Sequence, residues 1–289
     1  MHDDVEVILY GSATGAAETA SALGVTYVKA IASSAEGIPY FDAIVNHAKI
    51  HGRFDVQVYL NCDIVLTDRV LRAVQAVPFP RYLMIGQRID LTEAATARIH
   101  AERGNRALAI AAKDEETTLH PPTGIDYFVF PRGLWEGLQS LVIGRAGYDS
   151  ALVAFCLRRG VPVIDASYMI PALHLFHDYS HVLGAEREVF WGRDAGNNRR
   201  IHDVGHSAPT IGDAGWQIIG NRVVQNSSRG DIIRQFESFL RYRGNMRTVS
   251  YGVRALWRAL TALGIYRPPQ VLLSEIMVTL AEEEKSDGD

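Results

Sequence analysis

The stretch Val58-Tyr-Leu-Asn-Cys-Asp-Ile-Val-Leu66 is a β-branched and aromatic run interrupted by one polar pair, Asn61 and Asp63. Such a run, followed by a helical pattern from Thr67, predicts a buried strand of an open α/β sheet. Ligands of these sheets bind at the carboxyl ends of the strands, where we expect Asp63 to lie. A buried carboxylate without a partner is costly. A metal ion, an arginine or backbone amides should therefore hold Asp63, unless it caps the turn that follows.

Composition places the chain among ordinary globular proteins. It has 289 residues, of which 47% are hydrophobic, and a formal net charge of −4, so we expect a full core and no nucleic-acid partner. The N-terminus lacks the pattern of a secretory signal, and no window approaches the roughly 18 apolar residues of a spanning helix. We therefore expect a cytoplasmic protein. Cys62 and Cys156 stand in apolar runs, which favours free thiols over a disulfide.

The pattern of apolar residues predicts an α/β fold with an open mixed sheet flanked by helices. Alternation and turn signals predict strands at 5–10, 25–30, 56–66, 82–86, 125–130 and 161–166. Helical periodicity and capping signals predict helices at 16–23, 41–51, 67–77, 134–141 and 150–159.

Charge is distributed unevenly near the C-terminus, where we place a domain boundary. Residues 1–226 are predicted to form the main domain, 227–280 a basic helical appendage and 281–289 a disordered acidic tail. Between Arg229 and Arg267 there are eight arginines, no lysine and two acids. Two interpretations stay open. The helices lie on an anionic membrane surface or partner, or they pack on the main domain with solvated arginines.

Four motifs in a fixed order carry the chemistry. They are Tyr59-Leu-Asn-Cys-Asp-Ile64, Gly124-Ile-Asp-Tyr-Phe-Val-Phe130, Gly144-Arg-Ala-Gly-Tyr-Asp149 and His174-Leu-Phe-His-Asp-Tyr179. As a set they resemble bacterial glycosyltransferase-like proteins associated with surface polysaccharide synthesis, within the nucleotide-sugar glycosyltransferases of the GT-A (Rossmann-like) fold. The resemblance extends to about Trp216. Asn61 departs from the family's D-x-D motif, and Tyr148 and Ser150 stand where Trp and Asn are typical.

The resemblance implies a role for each matched position. Asp63 would hold a divalent metal ion on the donor diphosphate, with His174 or His177 completing the metal site. Gly124 would lie beside the donor, and Asp149 would be the base of an inverting reaction. Asn61 would bind ribose or a metal-bound water.

Other residues are donor-site candidates on chemical grounds. Guanidinium groups bind phosphate in a bidentate manner, so Arg88 and Arg145 are candidates for the diphosphate or the acceptor, with ion pairing as the alternative. Gly11 opens a small-residue turn after the first strand that would contribute to donor binding. Asp126 is expected to face an arginine.

A metal site made of a carboxylate and an imidazole favours Mn²⁺ as much as Mg²⁺, because imidazole is an unusual ligand for magnesium. The charge of the ion would stabilise a diphosphate leaving group. Asp149 lies at a predicted helix start, where the dipole favours its ionised form and where it is equally a good N-cap.

The main hypothesis is therefore an inverting, metal-dependent glycosyltransferase with a glycan or lipid-linked glycan acceptor, and the basic C-terminal segment would suit docking at the inner face of the membrane. Two alternatives stay open. One is a metal-dependent hydrolase that uses the histidine-rich segment His174 to His181, with Asp149, Asp165 or Asp178 as further ligands. The other is a non-catalytic relative that binds nucleotide or glycan.

Overall fold

The structure is a computed structural model. It describes residues 4–101, 107, 110–111, 114, 116–177, 185–201, 208–227, 229–264, 273–276 and 278. Its described strands form sheets of two, four and six strands, interspersed with helices. The prediction of a mixed α/β fold is confirmed.

The chain divides into two compact units that are each discontinuous in sequence. The first contains residues 1–57, 131–152 and 179–208, and the second contains residues 58–130, 153–178 and 209–289. The predicted boundary between 226 and 227 stays a prediction. The helices after it belong to the same compact unit as the large sheet. The predicted disordered tail, 281–289, lies outside the described residues.

The first unit begins with a short βαβ element, as predicted. Strands β1 (Ile8–Tyr10) and β2 (Thr26–Val28) pair in parallel, and α1 (Ala16–Leu23) connects them. Helix α2 (Phe41–His51) has the predicted bounds. The helix predicted at 134–141 is wrong, since these residues form turns and extended chain. Gly133 and Gly137 adopt φ angles of 81° and 78°, which do not continue a right-handed helix.

The second unit contains the six-stranded sheet and most of the apolar core. Its strand order is β12-β11-β9-β5-β8-β3. The strands are β3 (Val56–Leu60), β5 (Leu83–Ile85), β8 (Tyr127–Pro131), β9 (Val163–Asp165), β11 (Trp216–Ile219) and β12 (Arg222–Gln225). The middle strands β5, β9 and β11 are parallel. Strand β5 is fully buried, which explains why its sequence is continuously apolar.

The strand predicted at 56–66 is broken at its polar pair. Strand β3 ends at Leu60, Asn61 to Asp63 form a turn, and β4 (Ile64–Val65) enters a different sheet. The turn is closed by the Ile64 amide, which donates to the Asn61 carbonyl at 3.2 Å. Asn61 is held at the break by Asp126, because its amide donates to the Asp126 carbonyl at 3.2 Å and its side chain donates to Asp126 Oδ1 at 2.9 Å.

The second sheet has four short strands in the order β4-β10-β6-β7, with β6 (Arg88–Asp90), β7 (Thr118–Leu119) and β10 (Ala172–His174). Side chains alternate between its two faces. One register row is apolar, since Leu173 pairs with Val65 and Ile89, and Ile89 pairs with Leu119. This row packs on a core cluster that includes Ala95 and Ile99 of α4 (Glu93–Ala101). The neighbouring positions Arg88, Asp90 and His174 are polar and form the site described below.

Three further helices lie wholly or partly in the first unit. Helix α5 (Tyr148–Arg158) begins in the first unit, and α6 (Ala185–Trp191) and α7 (Arg193–Ile201) lie within it. No helix among the described residues is both long enough and apolar enough to cross a bilayer.

Ion pairs with buried acids connect the C-terminal helices α8 (Arg229–Tyr242) and α9 (Arg247–Ala262) to each other and to the turn before β11. Asp213, at the end of a 3₁₀ turn (Ile211–Asp213) before β11, accepts from Arg234 at 2.9 Å and from Ser238 at 2.8 Å. Arg254 of α9 donates to Glu237 of α8 at 2.9 Å. Arg234 and Arg254 therefore neutralise buried acids, whereas Arg243, Arg247 and Arg258 are exposed. Both interpretations from sequence stay open.

We predict that Asp213→Ala lowers the free energy of unfolding by about 3–5 kcal/mol, because it leaves buried guanidinium charge without a partner. Burial raises the pKa of Asp213, but Arg234 and the hydrogen bonds outweigh it and hold the pKa below 3.8. The carboxylate therefore stabilises the fold above about pH 4, and this contribution is lost as the pH falls through the lower folded-state pKa. Urea unfolding at pH 7 and pH 3 measures both effects.

The control is Glu136→Ala, which removes an exposed ion pair with Lys49 and should cost less than about 1 kcal/mol. Equal effects of the two substitutions would contradict the role given to Asp213.

Candidate metal centre

The register of the four-stranded sheet brings three polar positions together. Strand β10 lies between β4 and β6, and His174 pairs with Ile64 on one side and with Asp90 on the other. Asp63 directly precedes Ile64, and its carbonyl accepts from the Leu175 amide at 2.9 Å. Backbone pairing alone thus places Asp63, His174 and Asp90 beside one another.

Asp63, His174 and His177 converge as a group with the composition of a metal site. The His177 Nε2 lies 2.9 Å and the His174 Nε2 3.5 Å from Asp63 Oδ2. One ligand atom from each residue lies within 4.8 Å of the others. Ligands about 2.1 Å from one ion are separated by about 3.0–3.4 Å in octahedral or tetrahedral arrangements. The predicted metal residues are therefore brought together in the structure, at distances that a shared divalent cation could bridge.

A second observation at Asp63 also favours a ligand. Its other oxygen, Oδ1, is buried and has no hydrogen-bond partner among the described residues. Burial raises the pKa of Asp63, but the hydrogen bond and charge of His174 outweigh it and lower that pKa. An ionised carboxylate with one buried, unsatisfied oxygen carries a desolvation cost, which a bound cation would remove.

His174 is held between two carboxylates. Burial lowers its pKa, but Asp63 and Asp90 outweigh this and raise it to about 9. The imidazole therefore carries a proton at neutral pH in the metal-free chain. A metal ion would have to displace that proton.

Around this group lies an aspartate and arginine network. Arg88 donates from Nε to Asp90 Oδ1 at 2.8 Å and from Nη1 to Asp126 Oδ2 at 3.0 Å. Asp90 Oδ2 is 2.6 Å from His120 Nδ1. The Asn61 side chain donates to Asp126 Oδ1 at 2.9 Å. The expectation that Asp126 faces an arginine is confirmed, and Arg88 adopts the ion-pair alternative that the sequence left open.

Gly124 has a definite packing role in this network. A Cβ atom at this position would lie 2.4 Å from the His120 Cδ2 atom. The glycine therefore allows the His120 ring to lie against the backbone, where it contacts Asp90. Gly124 remains a donor-binding candidate as a prediction.

Three predicted residues belong to the first unit and are described only there. Gly11 has a φ of 126°, and its amide donates to the Val28 carbonyl. Arg145 is partly buried, and its guanidinium donates to the Gly144 carbonyl at 3.0 Å. Asp149 lies in the first turn of α5, so its predicted place at a helix start is confirmed.

The sequence did not identify Asp90 and His120 as site residues. The available signal for Asp90 was alternation, because Arg88-Ile89-Asp90 places two polar residues around a buried one. Asp178 and His181, also considered as ligands, lie outside the described residues. Asp165 is partly buried, and its Oδ1 accepts from the Ser167 amide at 2.9 Å and hydroxyl at 2.6 Å, so it is not a member of the candidate metal group.

Comparisons of the chain with protein-family models, with curated proteins and with solved structures gave no match. The function must therefore be argued from the geometry of the site.

We predict that Gly124→Ala displaces His120 and destabilises the second unit by about 1–3 kcal/mol, as expected for an overpacked position. The matched control is Gly252→Ala in α9, where a Cβ would meet nothing within 4 Å and alanine should stabilise the helix by up to about 1 kcal/mol. Thermal and urea unfolding compare the two. A neutral or stabilising Gly124→Ala would contradict the packing role.

Proposed function

We propose that this chain is an inverting, metal-dependent glycosyltransferase of the GT-A fold that moves a sugar from a nucleotide-sugar donor to a glycan or lipid-linked glycan acceptor in surface polysaccharide synthesis. The observation that carries the proposal is the convergence of Asp63, His174 and His177 around a buried, unsatisfied carboxylate oxygen. The four motifs that resemble such enzymes supply the reaction class.

In this proposal Asp63, His174 and His177 hold the metal ion, which is Mn²⁺ or Mg²⁺. A carboxylate and two imidazoles suit Mn²⁺ better, because Mg²⁺ prefers oxygen ligands. When bound, the ion would supply positive charge that stabilises the diphosphate leaving group. This set of metal ligands therefore fits the divalent cation that the motifs imply.

The remaining residues bind, orient or accept a proton. Asn61 is oriented by Asp126, and its Oδ1 is 3.4 Å from the Tyr59 hydroxyl. Arg88 keeps the adjacent acids neutralised, so that a diphosphate does not meet three uncompensated carboxylates. Asp149 takes the proton of the attacking acceptor hydroxyl through its carboxylate. This role, like the donor roles of Gly11 and Arg145, derives from the motifs and the residue chemistry.

We also propose that the protein works in the cytoplasm at the inner face of the membrane. Ile232, Phe236 and Phe239 are each at least half exposed. They recur on one face of α8 at helical spacing, and the exposed Arg243 directly follows the end of the helix. An exposed apolar stripe ending in a cation supports interfacial contact with an anionic membrane.

The test is incubation with a panel of nucleotide sugars and Mn²⁺, followed by nucleoside diphosphate release and thermal stabilisation. We expect both with at least one donor. Asp63→Ala should abolish metal-dependent stabilisation, because it removes the only carboxylate of the described ligand group. Asp149→Asn should retain stabilisation but lower turnover by about 10²–10⁴-fold, as loss of a general base does.

The matched control is Asp68→Ala, five positions after Asp63. Asp68 is exposed and makes no side-chain capping bond to α3 (Arg69–Ala76), so stabilisation and turnover should be unchanged. Absence of stabilisation by every nucleoside diphosphate with metal would overturn the proposal. Stabilisation without turnover, unaffected by Asp149→Asn, would favour a non-catalytic nucleotide-binding relative.

A second candidate, a metal-dependent hydrolase, is favoured by one observation. The whole ligand group lies within the second unit, and two histidines with one carboxylate also form catalytic zinc sites. This candidate predicts tight Zn²⁺ binding in the absence of nucleotide and metal-dependent cleavage of aryl phosphates or aryl esters. A colorimetric assay with these substrates separates it from the transferase. No cleavage with Zn²⁺ or Mn²⁺ would exclude it.

A further inference from the structure

His174 offers its two ring nitrogens to two different carboxylates. Its Nε2 lies 3.5 Å from Asp63 Oδ2, and its Nδ1 lies 3.4 Å from Asp90 Oδ1. Only one nitrogen of an imidazole can bind a given metal ion, and the other then keeps its proton and needs an acceptor. Since Asp63 belongs to the candidate metal group, Nε2 faces the metal and Nδ1 faces Asp90.

Asp90 is itself fixed in position. Its Oδ1 accepts from Arg88 Nε at 2.8 Å, and its Oδ2 lies 2.6 Å from His120 Nδ1. The backbone of Asp90 is paired directly with that of His174 across parallel strands. The carboxylate is therefore held by Arg88 and His120, which are not members of the metal group.

We propose that Asp90 is a positioning residue that orients His174 so that Nε2 is presented to the metal ion, with Arg88 and His120 fixing Asp90. The inference rests on the metal centre of the proposed function and adds to it a residue that no motif contains. Acceptors behind ligating histidines fix the orientation of the ring, and their loss typically weakens metal binding by about 10–100-fold.

Asp126 provides a matched comparison. Like Asp90, it is a partly buried aspartate that accepts from Arg88 within 3.0 Å. Unlike Asp90, it is not one of the carboxylates that pair with His174 in the part of the chain that the structure describes. A substitution that acts only by disturbing Arg88 should therefore have similar effects at both positions, whereas a substitution that acts through His174 should have its effect only at Asp90.

The experiment measures metal binding to the full chain without any nucleotide. Mn²⁺ and Co²⁺ are titrated by calorimetry into the wild type, Asp90→Asn and Asp126→Asn, and the visible absorption of bound Co²⁺ reports its ligand field. Thermal unfolding of the metal-free variants checks that each is folded. We expect Asp90→Asn to weaken binding by about 10–100-fold and to change the Co²⁺ spectrum, and Asp126→Asn to change affinity less than threefold.

The outcomes separate this inference from the proposed function. A wild type that binds neither ion overturns the metal centre and this inference with it. Wild-type affinity and spectrum in Asp90→Asn overturn this inference alone and leave the metal centre standing. Equal weakening in both variants also overturns it, because the effect would then pass through Arg88 and not through the orientation of His174.

Discussion

The candidate site depends on the pairing of one short strand with neighbours on both sides. Strand β10 contributes three residues, yet it is antiparallel to β4 and parallel to β6, in a register that sets His174 beside Ile64 and Asp90. Because side chains alternate along a strand, Leu173 must then face the core cluster. A register slip of one residue would exchange Leu173 and His174 between the core and the site. Burial of Leu173 therefore specifies the position of the imidazole.

The same small sheet explains how three aspartates are kept near one another. Asp63, Asp90 and Asp126 are all partly buried, and like charges at such spacing would raise one another's pKa. Arg88 pairs with two of them and His174 lies between two of them. The pKa values of Asp63 and Asp90 are consequently lowered despite burial, which alone would raise them. Among the described residues, Asp63 Oδ1 is a buried carboxylate oxygen of this group without a hydrogen-bond partner. A cation bound there would balance the negative charge of Asp63.

The sequence predicted the elements that have strong local signals. It did not predict the features that depend on contacts between distant residues. The bounds of α1 and α2 and the α/β class followed from periodicity. Asp63 was a candidate because it is a carboxylate at a predicted strand end, and His174 and His177 were candidates because of the motif resemblance. The structure brings the three side chains together. The break after Leu60 was missed because the apolar run continues through Ile64 and Val65, and the contact that holds Asn61 comes from Asp126, 65 positions away. Asp90 was missed because two of its partners, His120 and His174, are distant from it in sequence.

The C-terminal helices show why formal charge is a poor guide to an interaction surface. Eight arginines between 229 and 267 suggest an electrostatic contact, but Arg234 and Arg254 are committed to buried acids and Arg241 is buried beside Tyr242. Arginines that are paired with buried acids do not attract lipid headgroups, whereas each exposed arginine near an anionic membrane contributes about 1 kcal/mol to the binding free energy. The exposed stripe of Ile232, Phe236 and Phe239 offers apolar area that salt does not screen. A membrane contact through these helices should therefore depend on the aromatic side chains more than on ionic strength.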